Sequence, residues 1–469
     1  MKLWQLLAGV PLTGEPYSQE MEITSISYDT RTLLPGALFV ALPGAKTDGS
    51  LYIDEALAKG AAAVVCRRRP QREGGFFPTP DPRRALALLA ENWFGHPGRE
   101  MTLIGVTGTN GKTTTTFLIK EMLEGALKTQ VGLIGTIQNM VGERVLPAHR
   151  TTPESYEVQQ LLREMADSGC THVVMEVSSH ALVQHRVEGL DFSVAAFTNL
   201  TQDHLDYHHT MEEYTNAKKN IFLHQGEGDR LILNYDNEVT RSMAAEAVCP
   251  VTWFSRKERL EEGVYLRDNA IWLTNEMGSR EVLPLSDIQL PGVHNIENYM
   301  AAIAAVDGLV PDKCVRAVAR RFHGVEHRIE LVRELDGVKY YNDSIGTSPS
   351  RTTACLESFN QKIILIAGGY DKGVPFTQLG VEIVGHVKAL FLTGNTAGAI
   401  RQAVEQAPGY AESGMILAET EDLAAAVAAA RQAAKPGDVV VLSPACAAFD
   451  HFKNFMERGQ VFKKLVQEL

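Results

Sequence analysis

The run Gly105-Val106-Thr107-Gly108-Thr109-Asn110-Gly111-Lys112-Thr113-Thr114 has the makings of a loop that holds phosphate. Glycines let the backbone curl until successive N–H groups face one anion, and a helix opening at the loop's end adds the positive pole of its dipole. Lys112 is spaced to reach the β- and γ-phosphates of a nucleoside triphosphate, and the Thr113 hydroxyl to face a Mg²⁺ ion. The strict pattern G-x-x-x-x-G-K-[ST] wants glycine at position 106, where Val106 stands; Gly108 supplies an early glycine two residues later. Residues 101–106 before the loop form the continuous apolar run of a buried parallel strand, and residues 113–124 after it carry a helical pattern.

Other side chains with chemistry stand near the ends of similar runs. Glu176 lies in the run 172–177, expected beside the loop strand, and its carboxylate suits Mg²⁺, which takes hard oxygens and keeps water and phosphate for the rest. His204 follows the run 194–197, in a loop at the same edge, where ligands of open parallel sheets bind. Thr210-Met211-Glu212-Glu213 reads as a capping box that starts a helix. Tyr214, Lys218 and Phe222 then share one face, and on this evidence alone Lys218 is a solvated surface charge, as is Lys219. Cys446, in Ser443-Pro444-Ala445-Cys446, has no partnered histidine in the sequence and reads as a packed thiol.

The elements that must position these groups alternate. Apolar runs at 101–106, 172–177, 194–197, 231–233, 362–367, 389–392 and 439–442 are interleaved with helical patterns at 113–124, 153–168, 298–308, 396–405 and 421–434. That rhythm predicts an α/β protein with doubly wound sheets. The chain has 469 residues, enough for about three domains. The polar, proline-rich stretch 67–84, a helix at 85–93 and a Gly-His-Pro-Gly turn mark one boundary near 98, and a second lies near 325. Lys plus Arg number 45 against 57 Asp plus Glu, a formal charge of −12. An acidic whole argues against nucleic acid or an anionic membrane surface as partner. No run of about 18 apolar residues predicts a membrane span, and six scattered cysteines without a C-x-x-C pair suit a reduced cytoplasm.

The segments Gly108-Thr109-Asn110-Gly111-Lys112-Thr113-Thr114, Thr151-Thr152-Pro153, Glu176-Val177-Ser178-Ser179-His180-Ala181-Leu182 and Asn199-Leu200-Thr201-Gln202-Asp203-His204-Leu205-Asp206 together resemble the Mur ligases. The folylpolyglutamate synthases are relatives with the same loop. The resemblance extends over nearly the whole chain and implies an ATP-dependent, ADP-forming amide-bond ligase of three domains. These would be a UDP-muramyl precursor-binding domain at 1–98, a central P-loop ATP-binding domain at 99–325, and a Rossmann-like amino-acid-binding domain at 326–469. ATP would activate a carboxylate as an acyl phosphate, which an amine then attacks. Lys112, Glu176, His204 and Lys218 would be the catalytic set. Thr113, Glu176, His204 and Lys218, the last turned into a carbamate, would hold two Mg²⁺ ions. Gly108, Thr109, Asn110, Gly111, Lys112, Thr113 and Thr114 would cradle the phosphates. Asn295, in Gly292-Val293-His294-Asn295, would meet adenine, and Arg328 and Asp343 the phosphate and ribose.

Within the family the two halves point to different members. Ser27-Tyr28-Asp29-Thr30-Arg31, the stretch 44–49, Thr151 and Thr152, and the segment from Ser178 to Arg186 resemble the type that adds the third peptide residue. Thr30 and Arg31 would lie near uridine, Thr151, Thr152 and Ser178 along the precursor, and Gln184 and Arg186 near its sugar or peptide. From about Lys218 the chain resembles the D-glutamate-adding type, through Gly324-Val325-Glu326-His327-Arg328, Tyr341-Asn342-Asp343-Ser344, Gly368-Gly369-Tyr370-Asp371-Lys372-Gly373 and Phe452-Lys453-Asn454-Phe455. There Thr347 and Lys372 would hold glutamate carboxylates, with Ala448, Phe449 and Phe455 lining the pocket, while Ile345 replaces a lysine common in that type. The D-N-P-R motif of diaminopimelate-adding members is absent from 326–469. The chain thus reads as a hybrid joined near 205–218, taking D-glutamate and either the UDP-muramoyl-alanine precursor or the longer dipeptide. The expected partners are that precursor and a free amino acid, with no nucleic acid and no membrane insertion, and the chain is expected to be a monomer. A folylpolyglutamate-type ligase and a non-catalytic nucleotide-binding protein are the alternatives.

Overall fold

The computed structural model describes residues 1–13, 20–44, 47–71 and 74–469; residues 45–46 of the stretch 44–49 lie outside them. Three sheets order the chain. In the first, Ser25–Ser27, Ala37–Val40, Ala63–Cys66 and Phe76–Pro78 pair in sequence order, all parallel. Leu38, Val40, Val65 and Phe77 of this sheet share a core with Leu86 and Leu89 of the helix Pro82–Phe94. That helix starts on Asp81, whose carboxylate accepts the N–H groups of Arg83 and Arg84, with proline at its first position. Such a cap contributes about 1 kcal/mol. The strand Phe76–Pro78 lies inside the stretch that reads as a polar connector; its two phenylalanines are buried.

The second sheet has 11 strands. At its centre Thr102–Thr107 lies between Val194–Phe197 and His172–Glu176, all parallel, with Thr107 opposite Phe197 and Val106 opposite Glu176. This register is what matters for function, because the chain leaves all three strands at one edge. The apolar runs 101–106, 172–177 and 194–197 become these strands, because a strand covered by helices on both faces must be apolar throughout. Two antiparallel extensions were not foreseen: Gln138–Val141 with Arg144–Pro147, and Gly263–Arg267 with Ala270–Asn275 and Gly278–Pro284. Their outer strands are largely exposed, so they lack the continuous apolar signal.

In the third sheet Glu330–Leu335 runs antiparallel to Val338–Asn342, which continues in parallel to Val439–Leu442, Ile363–Ala367, Val387–Leu392 and Ile416–Glu419. A separate apolar core covers each face, as in a doubly wound sheet. The first two sheets belong to one compact unit, Met1–Pro284 with Glu297–Val318, and the third to another, Leu285–Ile296 with Ala319–Leu469. Among the described residues no helix is long and apolar enough to cross a membrane, and all six cysteines are free thiols.

Charged contacts tie the N-terminal sheet to the middle one. Arg84 Nε lies 2.8 Å from Glu188 Oε1, and His185 lies 2.9 Å from Glu188 Oε2 and 3.2 Å from Asp81 Oδ2. The hydrogen bond from His185, backed by Arg84, holds the Glu188 carboxyl down at about 2. The same bond raises the His185 imidazole above its ordinary value. A lowered carboxyl stabilises the fold above its unfolded pKa, and a raised imidazole does so below its own, so the clasp is complete between about pH 4.5 and about pH 6.5. The thermal midpoint is expected to fall as the pH rises from about 6 to about 9 through the folded His185 value. His185→Gln should flatten that slope in a calorimetric pH series; an unchanged slope contradicts the clasp.

Candidate functional site

The phosphate-loop sequence folds where its composition demands. Val106 is buried within the strand, so the turn begins at Gly108 rather than at 106. A Cβ on Gly108 (φ 139°) would lie 2.0 Å from Thr198 Oγ1, and one on Gly111 (φ 88°) 2.3 Å from Asn298 Oδ1. Glycine is required at both. The segment after Val194–Phe197 pins the loop. Thr109 N donates to Asn199 O (2.9 Å), Asn110 N to Asn199 Oδ1 (3.0 Å), and Thr109 Oγ1 to Thr201 O (3.0 Å). The helix Lys112–Leu127 follows. The N–H groups of Gly111, Thr113 and Thr114 at its start have no carbonyl one turn back within the helix, which leaves them aimed at an anion.

Glu176 is fully buried at the end of its strand. Its carboxylate accepts from Thr113 Oγ1 (3.0 Å), Thr136 N (2.8 Å) and Thr136 Oγ1 (2.9 Å). None of these donors carries a charge. Thr136 has no sequence signal and was not foreseen. Nor was Asn298, on the helix Val293–Val306, which starts five residues earlier than its apolar pattern predicts.

The two lysines meet at one carbonyl. Lys112 Nζ donates to Gly108 O (2.8 Å) and Thr109 O (2.9 Å), and Lys218 Nζ donates to Gly108 O (2.9 Å) and Thr107 Oγ1 (3.2 Å). The surface reading of Lys218 is therefore wrong. It is 1% exposed, because the helix face it shares with Tyr214 is the one packed on the loop, with Nζ 4.9 Å from the Tyr214 ring centre; the helix ends at Lys219, so Phe222 lies beyond that face. Burial, then the charge of Lys112, pulls its pKa well below the usual lysine range. Lys219 instead pairs with Glu246 near the surface. Only half of the expected capping box forms: Thr210 caps the helix Met211–Lys219 through the Glu213 N–H.

His204 stays exposed at the start of the short helix Leu205–His208, with φ 53°. Its ring stands 5.0 Å from His180 and 6.2 Å from Tyr214, whose hydroxyl is 3.3 Å from Thr109 Oγ1. Among the described residues no three His, Cys, Asp or Glu side chains converge as a ready-made metal cage. The donors that do meet are the Thr113 hydroxyl and the Glu176 carboxylate, a partial set of the kind Mg²⁺ completes with water and phosphate.

A second network leads away from Glu176. Thr152 Oγ1 donates to Glu176 O (2.8 Å) and accepts from Ser178 N (3.1 Å), and the Thr151 and Thr136 hydroxyls lie 3.1 Å apart, so with the Thr136 proton on Glu176 the Thr151 hydroxyl is the donor. Arg186 donates to Thr152 O (2.9 Å) and Gln184 Oε1 (2.7 Å) and pairs with Glu154 at 3.2 Å. Thr151, Thr152, Ser178, Gln184 and Arg186 thus form one connected surface, with Thr152 buried inside it. Thr30 and Arg31 lie elsewhere, on the turn after Ser25–Ser27. Arg31 is exposed and paired with Asp29, and Thr30 offers its carbonyl to Lys59.

The second unit gathers its own set. Asp343, Thr347, Lys372, Ala448 and Phe449 all follow the carboxyl ends of the neighbouring strands Val338–Asn342, Ile363–Ala367 and Val439–Leu442. Lys372 Nζ donates to Thr347 O (3.3 Å), and burial followed by the charges of Arg351 and Arg458 lowers its pKa. Ala448 is buried, and the exposed Phe449 ring stands 6.0 Å from Tyr370. Phe455 offers its carbonyl to Ser344 Oγ (2.7 Å). Asp343 accepts from Ser443 Oγ (2.7 Å), and burial pushes its carboxyl up to about 6 against the pull of Ser443 and Arg328. Arg328 lies between two left-handed residues, His327 (φ 64°) and Ile329 (φ 44°); that conformation is costly for a β-branched side chain. Asn295 is buried, its amide on Pro291 O (2.6 Å). Cys446 packs 3.1 Å from Thr396 Oγ1 and burial pushes its thiol up to about 11, the inert thiol expected.

Three family descriptions match the chain in order: Mur ligase family, catalytic domain, over residues 22–92; Mur ligase middle domain over 106–306; and Mur ligase, glutamate ligase domain over 327–446. The UDP-N-acetylmuramoylalanine–D-glutamate ligase of Acetivibrio thermocellus is 45% identical over 370 residues, 78% of this chain and 74% of that protein. The ligase of the same name from Clostridium botulinum is 42% identical over 368 residues, with the same coverage. Among solved structures, a UDP-N-acetylmuramoyl-L-alanyl-D-glutamate–2,6-diaminopimelate ligase shares the fold at a TM-score of 0.69 and 22% identity, covering 100% of this chain and 99% of that one. A MurF ligase from Thermotoga maritima in complex with ADP does so at 0.58 and 19%, covering 95% and 98%.

Thr136→Val removes one of the donors that hold the buried Glu176 carboxylate. It is expected to cost about 1–3 kcal/mol in chemical denaturation, whereas Thr136→Ser should stay close to wild type. A neutral Thr136→Val contradicts the role assigned to this hydroxyl.

Proposed function

The chain belongs to the Mur ligase family, and from that premise we propose that it joins D-glutamate to the alanine carboxylate of UDP-N-acetylmuramoyl-L-alanine, with ATP converted to ADP and phosphate. The observation that carries this reading is the convergence of Lys112 and Lys218 on Gly108 O, in the loop whose following residue Thr113 donates to the buried Glu176 carboxylate. The Lys112 ammonium and a row of N–H donors make a site for a polyanion, and the buried Glu176 carboxylate, with Lys218 once carbamylated, suits the metal of a metal–triphosphate.

The loop Gly108 to Thr114 holds the triphosphate, with Lys112 swinging from its own loop carbonyls onto the β- and γ-phosphates. The precursor carboxylate attacks the γ-phosphorus, the bond to the β-phosphate oxygen breaks, and ADP leaves an acyl phosphate. The amine of the amino acid then adds to the acyl carbon, loses a proton, and phosphate departs as the amide forms. No side chain need become covalently attached. Catalysis is positioning and neutralisation of developing charge. Thr113, Glu176, His204 and Lys218 as a carbamate would hold two Mg²⁺ ions, which supply charge neutralisation at the phosphates. Thr136 keeps Glu176 fixed in its strand-end position.

The network of Thr151, Thr152, Ser178, Gln184 and Arg186 serves the precursor's muramyl end, and Thr30 and Arg31 its uridine. Asn295, Arg328 and Asp343 serve adenine, phosphate and ribose. Thr347, Lys372, Ala448, Phe449 and Phe455 form the amino-acid pocket, where the Lys372 charge and the Thr347 turn suit a dicarboxylate. The identity to ligases named for D-glutamate supports that choice of amino acid. The segments 1–98, 99–325 and 326–469 divide these duties, and the work is done in the cytoplasm, where ATP and reduced thiols coexist.

Phosphate release is the test. D-glutamate, lysine and diaminopimelate, each crossed with the alanine and the alanyl-glutamate precursors, should give turnover with D-glutamate and the shorter precursor. Lys112→Ala and Glu176→Ala should each lower it by more than about 1,000-fold with circular dichroism unchanged. Turnover confined to another amino acid, or near-native turnover by either variant, overturns the assignment.

A further inference from the structure

The first turns of the C-terminal helix Phe455–Glu468 carry a residue that nothing so far explains. Arg458 is 3% exposed, and a cation near a helix N-terminus faces the unfavourable end of the dipole. Its guanidinium makes four hydrogen bonds: Nε to Ser344 Oγ (3.1 Å), Nη2 to Ser344 O (2.9 Å) and Cys446 O (3.0 Å), and Nη1 to Ala447 O (3.1 Å). None of the acceptors is a carboxylate. Asp450 and Asp343 act on it only through space, and burial still pulls it down to about 10. A buried charge held by dipoles alone is costly to keep, so stability is not a sufficient reason for it.

Its partners define its reach. Ser344 opens the loop that leads to Thr347, and the Ser344 hydroxyl also donates to Phe455 O. Cys446 and Ala447 precede Ala448 and Phe449. Ala447 O accepts a second bond, from Tyr370 N at 2.9 Å, two residues before Lys372. Gly369 lets that loop approach: a Cβ there would lie 2.4 Å from Ala447 O and 3.1 Å from Arg458 Nη1. One planar fork thus ties together the ends of two strands that bear the amino-acid pocket, and the third joins them through Tyr370 N on the shared Ala447 O. Lys372 and Arg351 are close enough that the charges of Arg351 and Arg458 both bear on Lys372.

We propose that Arg458 is the positioning residue of the amino-acid pocket, fixing the loops after Asn342, Ala367 and Leu442 in register and biasing the pocket toward a side-chain carboxylate. This rests on the reading that these loops bind the incoming amino acid. Arg458→Met keeps most of the volume and loses charge and fork; Arg458→Lys keeps the charge alone. In steady-state phosphate release, Arg458→Met should raise the KM for D-glutamate at least about tenfold, with the KM for ATP within about twofold. Its preference for D-glutamate over D-glutamine should fall about tenfold or more. Arg458→Lys should raise the same KM but keep the preference. An unchanged D-glutamate KM, or a uniform rise for all substrates together with a lowered thermal midpoint, overturns the proposal. Should Arg458→Met not fold, Arg458→Lys decides by the same two KM values. A wild-type enzyme that ignores D-glutamate would instead overturn the reading of the pocket itself.

Discussion

Two ammonium groups share one carbonyl oxygen. Lys112 and Lys218 both donate to Gly108 O, at 2.8 and 2.9 Å, and neither of those contacts brings in a carboxylate. Like charges this close repel in a buried setting; the Asp203 carboxylate offsets part of that repulsion on Lys218 through space, and a bound anion would offset more. The rest of the middle sheet follows from accommodating it. Glycine is required at 108 and 111 because Thr198 and Asn298 press against the loop. Tyr214 shields Lys218 from water, and neutral donors hold the Glu176 side chain in place beside the loop.

The same design recurs in the second unit with other residues. Loops leaving the carboxyl ends of adjacent parallel strands are brought to one place by the sheet itself, and a buried cation fixes their mutual register. In the second unit that cation is Arg458, which bridges Ser344 with Cys446 and Ala447; in the first, the buried amine of Lys218 holds the single strand end Thr107–Gly108. Each stands on a helix face whose other members are core: Tyr214 with Lys218, Phe462 and Val466 with Arg458.

That regularity explains what could be read from the sequence and what could not. Strands such as Val194–Phe197 and Val439–Leu442 were legible to the residue, because burial on both faces forces an unbroken apolar run. The meander 263–284, whose strands are interrupted by polar residues, and the strand Phe76–Pro78 were not, since polar surroundings mask short strands. The phosphate loop was legible because its glycines are forced by close contact. Taken from the residues alone Lys218 reads as a surface charge, although Tyr214 and Phe222 flank it at i−4 and i+4, and only the family resemblance places it at the site; Arg458, with Phe462 and Val466 at i+4 and i+8 but Asn454 at i−4, carries a weaker version of the same signal. Thr136 and Asn298 left no trace, because single hydrogen bonds across 40 or more residues, such as the one from Thr136 N to Glu176, have no periodicity.

The charge on Lys218 is the most direct measure of the whole account. Protein equilibrated with ¹³C-bicarbonate and observed by carbon NMR is predicted to show one slowly exchanging carbamate carbonyl resonance, absent from Lys218→Ala. A spectrum with no such resonance, and a Lys218 that remains a plain ammonium when ATP and Mg²⁺ are bound, would contradict it.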